Sequence, residues 1–194
     1  MAAKLVPHGV DLRLGWELTP SEPLLDEDPA RYRLGDLPTV LMEVPFHGSL
    51  ALAERLAEHI EAHGLTPIVA HPERAESARE RPGAADAFRE RDWLLQVNAT
   101  SLLGYHGPDQ AEEGWRLVEN GLADIVASDG HRSARPPFLD AAYELALGRV
   151  GAERADALTQ VFARKGQGET EIVRLDDRDF GEDPARLEVE LRTI

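Results

Sequence analysis

The stretch TPIVAHPER, residues 66–74, decides how this sequence is read. Ile68, Val69 and Ala70 have the look of a short buried strand, and the run stops on His71, with Arg74 three residues further on. Taken alone, HPER is compatible with a turn in which backbone groups satisfy His71. What gives it weight is that the pattern recurs. VDLRLGWEL (10–18), PTVLMEVPF (38–46), DWLLQVNAT (92–100) and ADIVASDGH (123–131) are four more apolar segments that run into chemistry. In the last of them a turn needs Asp129 and Gly130, but it needs neither His131 nor Arg135.

The polar residues at or near these segment ends are Glu17, Glu43, His71, Asn98 and Asp129, at intervals of 26, 28, 27 and 31 residues. Such an interval is about one βα unit, which takes roughly 30 residues. The segments between have helical period. In SLALAERLAEHIEAHG (49–64), Leu52, Ala53, Leu56, Ala57 and Ile60 share one face, and Gly64 stands where a C-terminal cap belongs. Residues 83–91, 109–120 and 137–148 also read as helices, with Asp109 as an N-cap and Gly121 as a stop. Strands alternating with helices predict a parallel sheet, open or closed into a (β/α) barrel. In a barrel the C-terminal strand ends gather at one mouth, where active sites of that architecture lie. Residues 166–194 alternate charged and apolar side chains and read as a separate acidic C-terminal extension to a 1–165 domain.

Composition narrows the chemistry. With 194 residues, 42% of them hydrophobic, the chain is long enough for one domain with a sizeable core. No run reaches the roughly 18 apolar residues of a membrane span and no basic-then-apolar leader opens the sequence, so a cytoplasmic soluble protein is expected. A formal charge of −15, from 36 acidic against 21 basic residues, argues against nucleic acid as a partner. The absence of cysteine removes thiolate nucleophiles and thiolate metal ligands together.

Carboxylates and imidazoles converging without thiolates suit Mn²⁺, Fe²⁺ or Zn²⁺. Two such ions can activate a water and stabilise the leaving oxygen of a phosphate ester. A phosphate also calls for guanidinium groups, whose fork matches its oxygens, and Arg74 and Arg135 fall on loops at the predicted mouth. An Asp at one strand end is most often a turn-former, and a lone Glu is most often a surface residue; only the fivefold repetition makes a metal site the better reading. His47 and His106 fall in loops after the second and fourth strands and are candidates for substrate contact, as is Asn98. His59 and His63 lie among Glu54, Glu58 and Glu61 on a polar helix face and read as solvated, while His8 reads as structural or exposed.

In order along the chain, LRLGWEL, LMEVP, PIVAHPER, LLQVNATSLLGYHG and VASDGHRSAR resemble the bacterial PHP-domain tyrosine phosphatases of capsular and exopolysaccharide operons, the CpsB/YwqE type, over about residues 10–160. The resemblance implies a distorted (β/α) TIM-like barrel of the PHP superfamily, carrying a trinuclear site that is most often manganese-loaded. It implies Glu17 as the bridging carboxylate, Glu43 and His71 as a pair on one ion, and Asp129 and His131 as ligands of the others. Arg74 and Arg135 correspond to phosphate-binding, catalytic arginines. The implied reaction is direct attack of an activated water on phosphotyrosine in the tail of a tyrosine autokinase, without a phosphoenzyme; a second copy of the chain is a further candidate partner. Such enzymes begin with a strand carrying His-x-His, absent from this sequence, so the resemblance implies a domain missing its first strands, about sixty residues or two βα units. Two alternatives remain beside the phosphatase: a catalytically silent binding module, and a phosphoesterase acting on a small monoester such as histidinol phosphate.

Overall fold

The structure, a computed structural model, describes residues 15–47, 49–76, 81, 83–130 and 138–159. Strands β1 (Glu17–Leu18), β2 (Thr39–Glu43), β3 (Thr66–Ala70), β4 (Leu94–Asn98) and β5 (Ile125–Ala127) form one parallel sheet in the order of the chain. The helices are α1 (Ala51–Ala62), α2 (Ala84–Glu90), α3 (Ala99–Leu102), α4 (Pro108–Glu119), α5 (Leu139–Val150) and α6 (Ala152–Thr159), with 3₁₀ turns at Glu22–Asp26, Pro29–Tyr32 and Pro72–Arg74. Parallel crossovers are right-handed, so strands that always step to the same side keep their helices on one face. This is the strand order of a (β/α) barrel rather than of a doubly wound sheet, whose order reverses at a switch point.

Side-chain parity divides the sheet into two faces. Leu18, Val40, Met42, Val69, Leu95, Val97 and Val126 point toward the helices and join the main core with Ala53, Leu56, Ala57 and Ile60 of α1. Leu41, Ile68, Leu94 and Ile125 point the other way and form a second, smaller apolar cluster with Leu34 and Ala127. Because Glu17 is in register with Leu41, and Leu41 with Ile68, Glu17 projects from this second face. Glu43, Gln96 and Asn98 share that parity and lie nearer the C-terminal ends of their own strands.

Helix positions follow the sequence pattern with two corrections. Asp109 does not cap α4: Gly107 holds the N-cap position, Pro108 enters the first turn with its φ already helical, and Asp109 lies inside that turn, where its charge meets the helix dipole. The helix expected over 137–148 runs instead to Val150, breaks at Gly151 (φ 81°), and is followed by α6, which the sequence pattern did not signal. Ala142, Ala146, Ala155 and Leu158 are buried where α5 and α6 meet the core, and three alanines make that apposition close. The strand expected over 10–18 is described only at Glu17–Leu18. His8, His131, Arg135 and the extension 166–194 lie outside the described residues.

Helix α4 sits unusually close to the sheet because residue 114 has no side chain. A Cβ there would stand 3.2 Å from Leu102 Cδ2, 3.3 Å from Val97 Cγ1 and 3.6 Å from Glu73 Cγ. Next to it, Trp115 donates its indole N–H to the Leu102 carbonyl at 3.0 Å, tying α4 to α3. Gly114→Leu is expected to lower unfolding stability by about 1–3 kcal/mol through overpacking, measured as a lower urea midpoint at unchanged m-value.

Candidate metal centre

The site is built where β3 ends. In an extended strand, alternation would send residue 71 toward the helices, because Ala70 faces the other way. His71 instead adopts the left-handed conformation, φ 39° and ψ 49°. Its N–H still donates to the Gln96 carbonyl at 2.7 Å, extending the β3–β4 ladder by one residue, and its carbonyl accepts from Arg74 N–H at 2.9 Å, closing the 3₁₀ turn. A left-handed non-glycine residue costs about 1–2 kcal/mol and persists only where its surroundings impose it. The result is that the imidazole reaches the polar face of the sheet.

There it meets two carboxylates. His71 Nε2 lies 3.3 Å from Glu17 Oε1 and 3.9 Å from Glu43 Oε2, and one ligand atom from each of the three residues lies within 4.8 Å of the other two. The imidazole is buried and the carboxylates are largely enclosed. Glu43 is further held by the Thr19 hydroxyl, which donates to its Oε1. Two carboxylates brought together at so enclosed a point repel unless a cation or a shared proton sits between them. Two carboxylate oxygens and an imidazole nitrogen are also the donors that Mn²⁺, Fe²⁺ and Zn²⁺ accept. The residues therefore fit a divalent metal.

Beside this cluster lies a second polar group. Arg74 Nη1 donates to Asp129 Oδ2 at 3.2 Å, and Asn98 Nδ2 donates to the same oxygen at 2.7 Å. Gln96 Nε2 donates to Asn98 Oδ1 at 2.7 Å, so the amide of Asn98 is held from both ends. Asp129, like His71, is left-handed (φ 46°). The structure thus brings together Glu17, Glu43 and His71, and separately Arg74, Asn98 and Asp129. Both amide groups of Asn98 are engaged inside the protein, which makes it a support for Asp129. His47 is exposed and its Nδ1 pairs with Glu76 Oε2 at 2.9 Å; His106 Nε2 pairs with the Thr100 hydroxyl at 2.9 Å. His59, read as solvated, is part-buried and its Nε2 hydrogen-bonds the Glu27 carbonyl at 2.8 Å.

Sequence reasoning missed Glu73, the residue between Pro72 and Arg74. It is fully buried. Its Oε1 accepts from Asn98 N–H at 3.0 Å and from the Ser101 hydroxyl at 2.7 Å, while its Oε2 has no partner among the described residues. Burial pushes its carboxyl above the ordinary range, opposed by the neighbouring His71 and by the two donors. Glu73 thereby clamps the 3₁₀ turn that carries His71 and Arg74 onto the end of β4. Thr19 was missed as well; its place after Glu17 at a strand end was the available signal.

A parallel βα sheet with an acid–imidazole cluster at its strand C-terminal ends defines a (β/α) protein with a candidate metal site. The family described as capsular polysaccharide synthesis, CpsB/CapC, matches residues 2–165, and the chain belongs to it. It is 36% identical over 98 residues to the tyrosine-protein phosphatase YwqE of Bacillus subtilis, which covers 50% of this chain and 39% of that protein. It is 25% identical over 140 residues to the putative tyrosine-protein phosphatase CapC of Staphylococcus aureus, covering 68% of this chain and 52% of that one. Among solved structures, it resembles one from a study of YwqE from Bacillus subtilis and CpsB from Streptococcus pneumoniae, described as unique metal-dependent tyrosine phosphatases. That likeness has a TM-score of 0.70 and 28% identity over 80% of this chain and 65% of the other. The chain spans about half the length of the curated relatives it matches.

Removing the Glu73 carboxylate strips an acceptor from two donors. Glu73→Ala is expected to cost about 2–4 kcal/mol of stability, from buried donors left unsatisfied, and Glu73→Gln distinctly less because an acceptor oxygen remains. Since the folded-state carboxyl titrates above its ordinary value of 4.5, the folded form binds the Glu73 proton more tightly than the unfolded form does. The stability it contributes is complete below that value and declines as pH rises through the folded-state titration. The stability difference between wild type and Glu73→Gln, followed by urea unfolding from acid to neutral pH, should therefore shift against wild type as pH rises.

Proposed function

We propose that this chain contributes to a metal-dependent protein-tyrosine phosphatase, acting in the cytoplasm on the phosphotyrosine tail of a tyrosine autokinase that controls capsular or exopolysaccharide synthesis. The observation that carries the reading is the Glu17–Glu43–His71 cluster set beside the Arg74–Asp129 pair at the ends of successive parallel strands. The names of the relatives, tyrosine-protein phosphatases, supply the substrate class, and the family's description supplies capsular polysaccharide synthesis. Among the described residues no helix is long and apolar enough to cross a membrane.

In this reading Glu17, Glu43 and His71 hold one divalent ion, Mn²⁺ foremost, and Asp129 with His131 serves further metal. Bound metal would supply charge neutralisation for phosphate oxygens and acidify a water. The chain's own part is orientation. Thr19 aims Glu43, and Asn98, itself held by Gln96, aims Asp129. Arg74, stiffened by its pairing with Asp129, presents a guanidinium whose planar donors match phosphate oxygens, and Arg135 is assigned the same task. His47 and His106 are assigned the role of substrate contacts.

With added Mn²⁺, the chain is expected to hydrolyse p-nitrophenyl phosphate, and His71→Ala and Asp129→Ala are each expected to lower kcat/KM by at least about 100-fold. Mn²⁺ should raise the melting temperature of wild type, and that rise should shrink in a Glu17→Gln, Glu43→Gln double variant. Turnover that survives both alanine substitutions would overturn the assignment.

A further inference from the structure

Phe46 is a large apolar side chain left 39% exposed three residues beyond Glu43. Its ring centroid lies 5.5 Å from that of His71, and the Arg74 guanidinium carbon lies 4.5 Å from it. The placement is held by the backbone: the Phe46 carbonyl accepts from Glu76 N–H at 3.0 Å, and the adjoining His47 ring is paired to the Glu76 carboxylate. The loop after β2 is thus fastened to the chain just past the His71–Arg74 turn. An exposed phenyl ring is fixed between the imidazole of the candidate metal cluster and the guanidinium assigned to phosphate.

Stacking under Arg74 explains one contact of the ring but not its exposure. In the phosphatase reading, a phosphate held by the metal cluster and Arg74 has Phe46 as a neighbour, because the ring lies close to both His71 and Arg74. Of the described groups named here beside the metal cluster, Arg74, Asp129, His71 and Glu43 are polar and Phe46 offers apolar surface. We propose that Phe46 is a specificity-determining residue: its ring packs against the organic group of the substrate and selects aryl over alkyl phosphate esters. Offset or edge-to-face aromatic contacts add attraction beyond simple area burial, so an aryl group gains what a small alkyl group does not. This rests on the phosphatase reading and adds to it the residue that recognises the ring.

The test uses anions that are not turned over. Affinities for phenylphosphonate and methylphosphonate are measured by calorimetry in the presence of Mn²⁺, on the full chain and its variants. Wild type is expected to prefer phenylphosphonate by about tenfold, roughly 1.4 kcal/mol. Phe46→Ala should collapse that ratio, and Phe46→Tyr, which keeps the ring, should retain it. Phe46→Leu, which keeps apolar volume under Arg74, should fall between. An unchanged ratio in Phe46→Ala overturns the proposal, including the case where both affinities drop together because Arg74 has lost its support. So does a wild type with no preference, or one that binds neither anion. Hydrolysis dependent on His71 with an unchanged ratio sinks this inference and leaves the phosphatase reading standing; a Phe46-dependent ratio without hydrolysis sinks the phosphatase reading and leaves Phe46 an aryl-binding residue only.

Discussion

Everything at the strand ends depends on how β3 is made to stop. Alternation along a strand would carry the imidazole of His71 to the helix side, and only the left-handed turn at that residue brings it back to Glu17 and Glu43. The turn is strained, so something must hold it. Glu73 does so from the interior, by accepting from Asn98 N–H and from Ser101. A single buried carboxylate oxygen therefore joins the turn that bears His71 and Arg74 to the strand end that bears Asn98. Since Asn98 in turn holds Asp129, the two polar groups of the site share one support.

The sheet itself explains why the site has apolar neighbours. Parallel register places Leu41, Ile68, Leu94 and Ile125 on the same face as Glu17 and Glu43, in the rows that those two carboxylates belong to. Charges flanked by apolar side chains interact through less water than charges on an open surface, so a cation bound among them is attracted more strongly. The same low dielectric penalises the carboxylates when they stand alone. Stability and function pull in opposite directions here, as they commonly do at sites built from convergent like charges.

Much of this was legible in the residue order. The recurrence of Glu17, Glu43, His71, Asn98 and Asp129 at strand-to-strand intervals marked the strand ends, because parallel βα units repeat the position of each strand end; it did not show that His71 needs a left-handed turn to reach Glu17 and Glu43. Phe46 and Glu73 were not legible. A phenylalanine after a strand reads as ordinary core, and nothing local says that it stays exposed against Arg74. A glutamate inside HPER reads as a solvated turn residue; inside the fold it packs near Gly114 of α4 and accepts from Asn98 N–H and Ser101, which are remote in sequence. Asn98 was read as meeting substrate, whereas both its amide groups are engaged by Gln96 and Asp129.

The sequence by itself determined the alternation of strands and helices, the absence of thiolate chemistry and the set of acids and imidazoles available to one mouth, because periodicity and composition are local properties. Tertiary structure alone decided which of those groups touch. The left-handed turn at His71, the clamp by Glu73 and the pairing of Arg74 with Asp129 each join residues from different βα units. Distances of a few ångströms between such units arise only when the sheet is paired and the helices have closed over it.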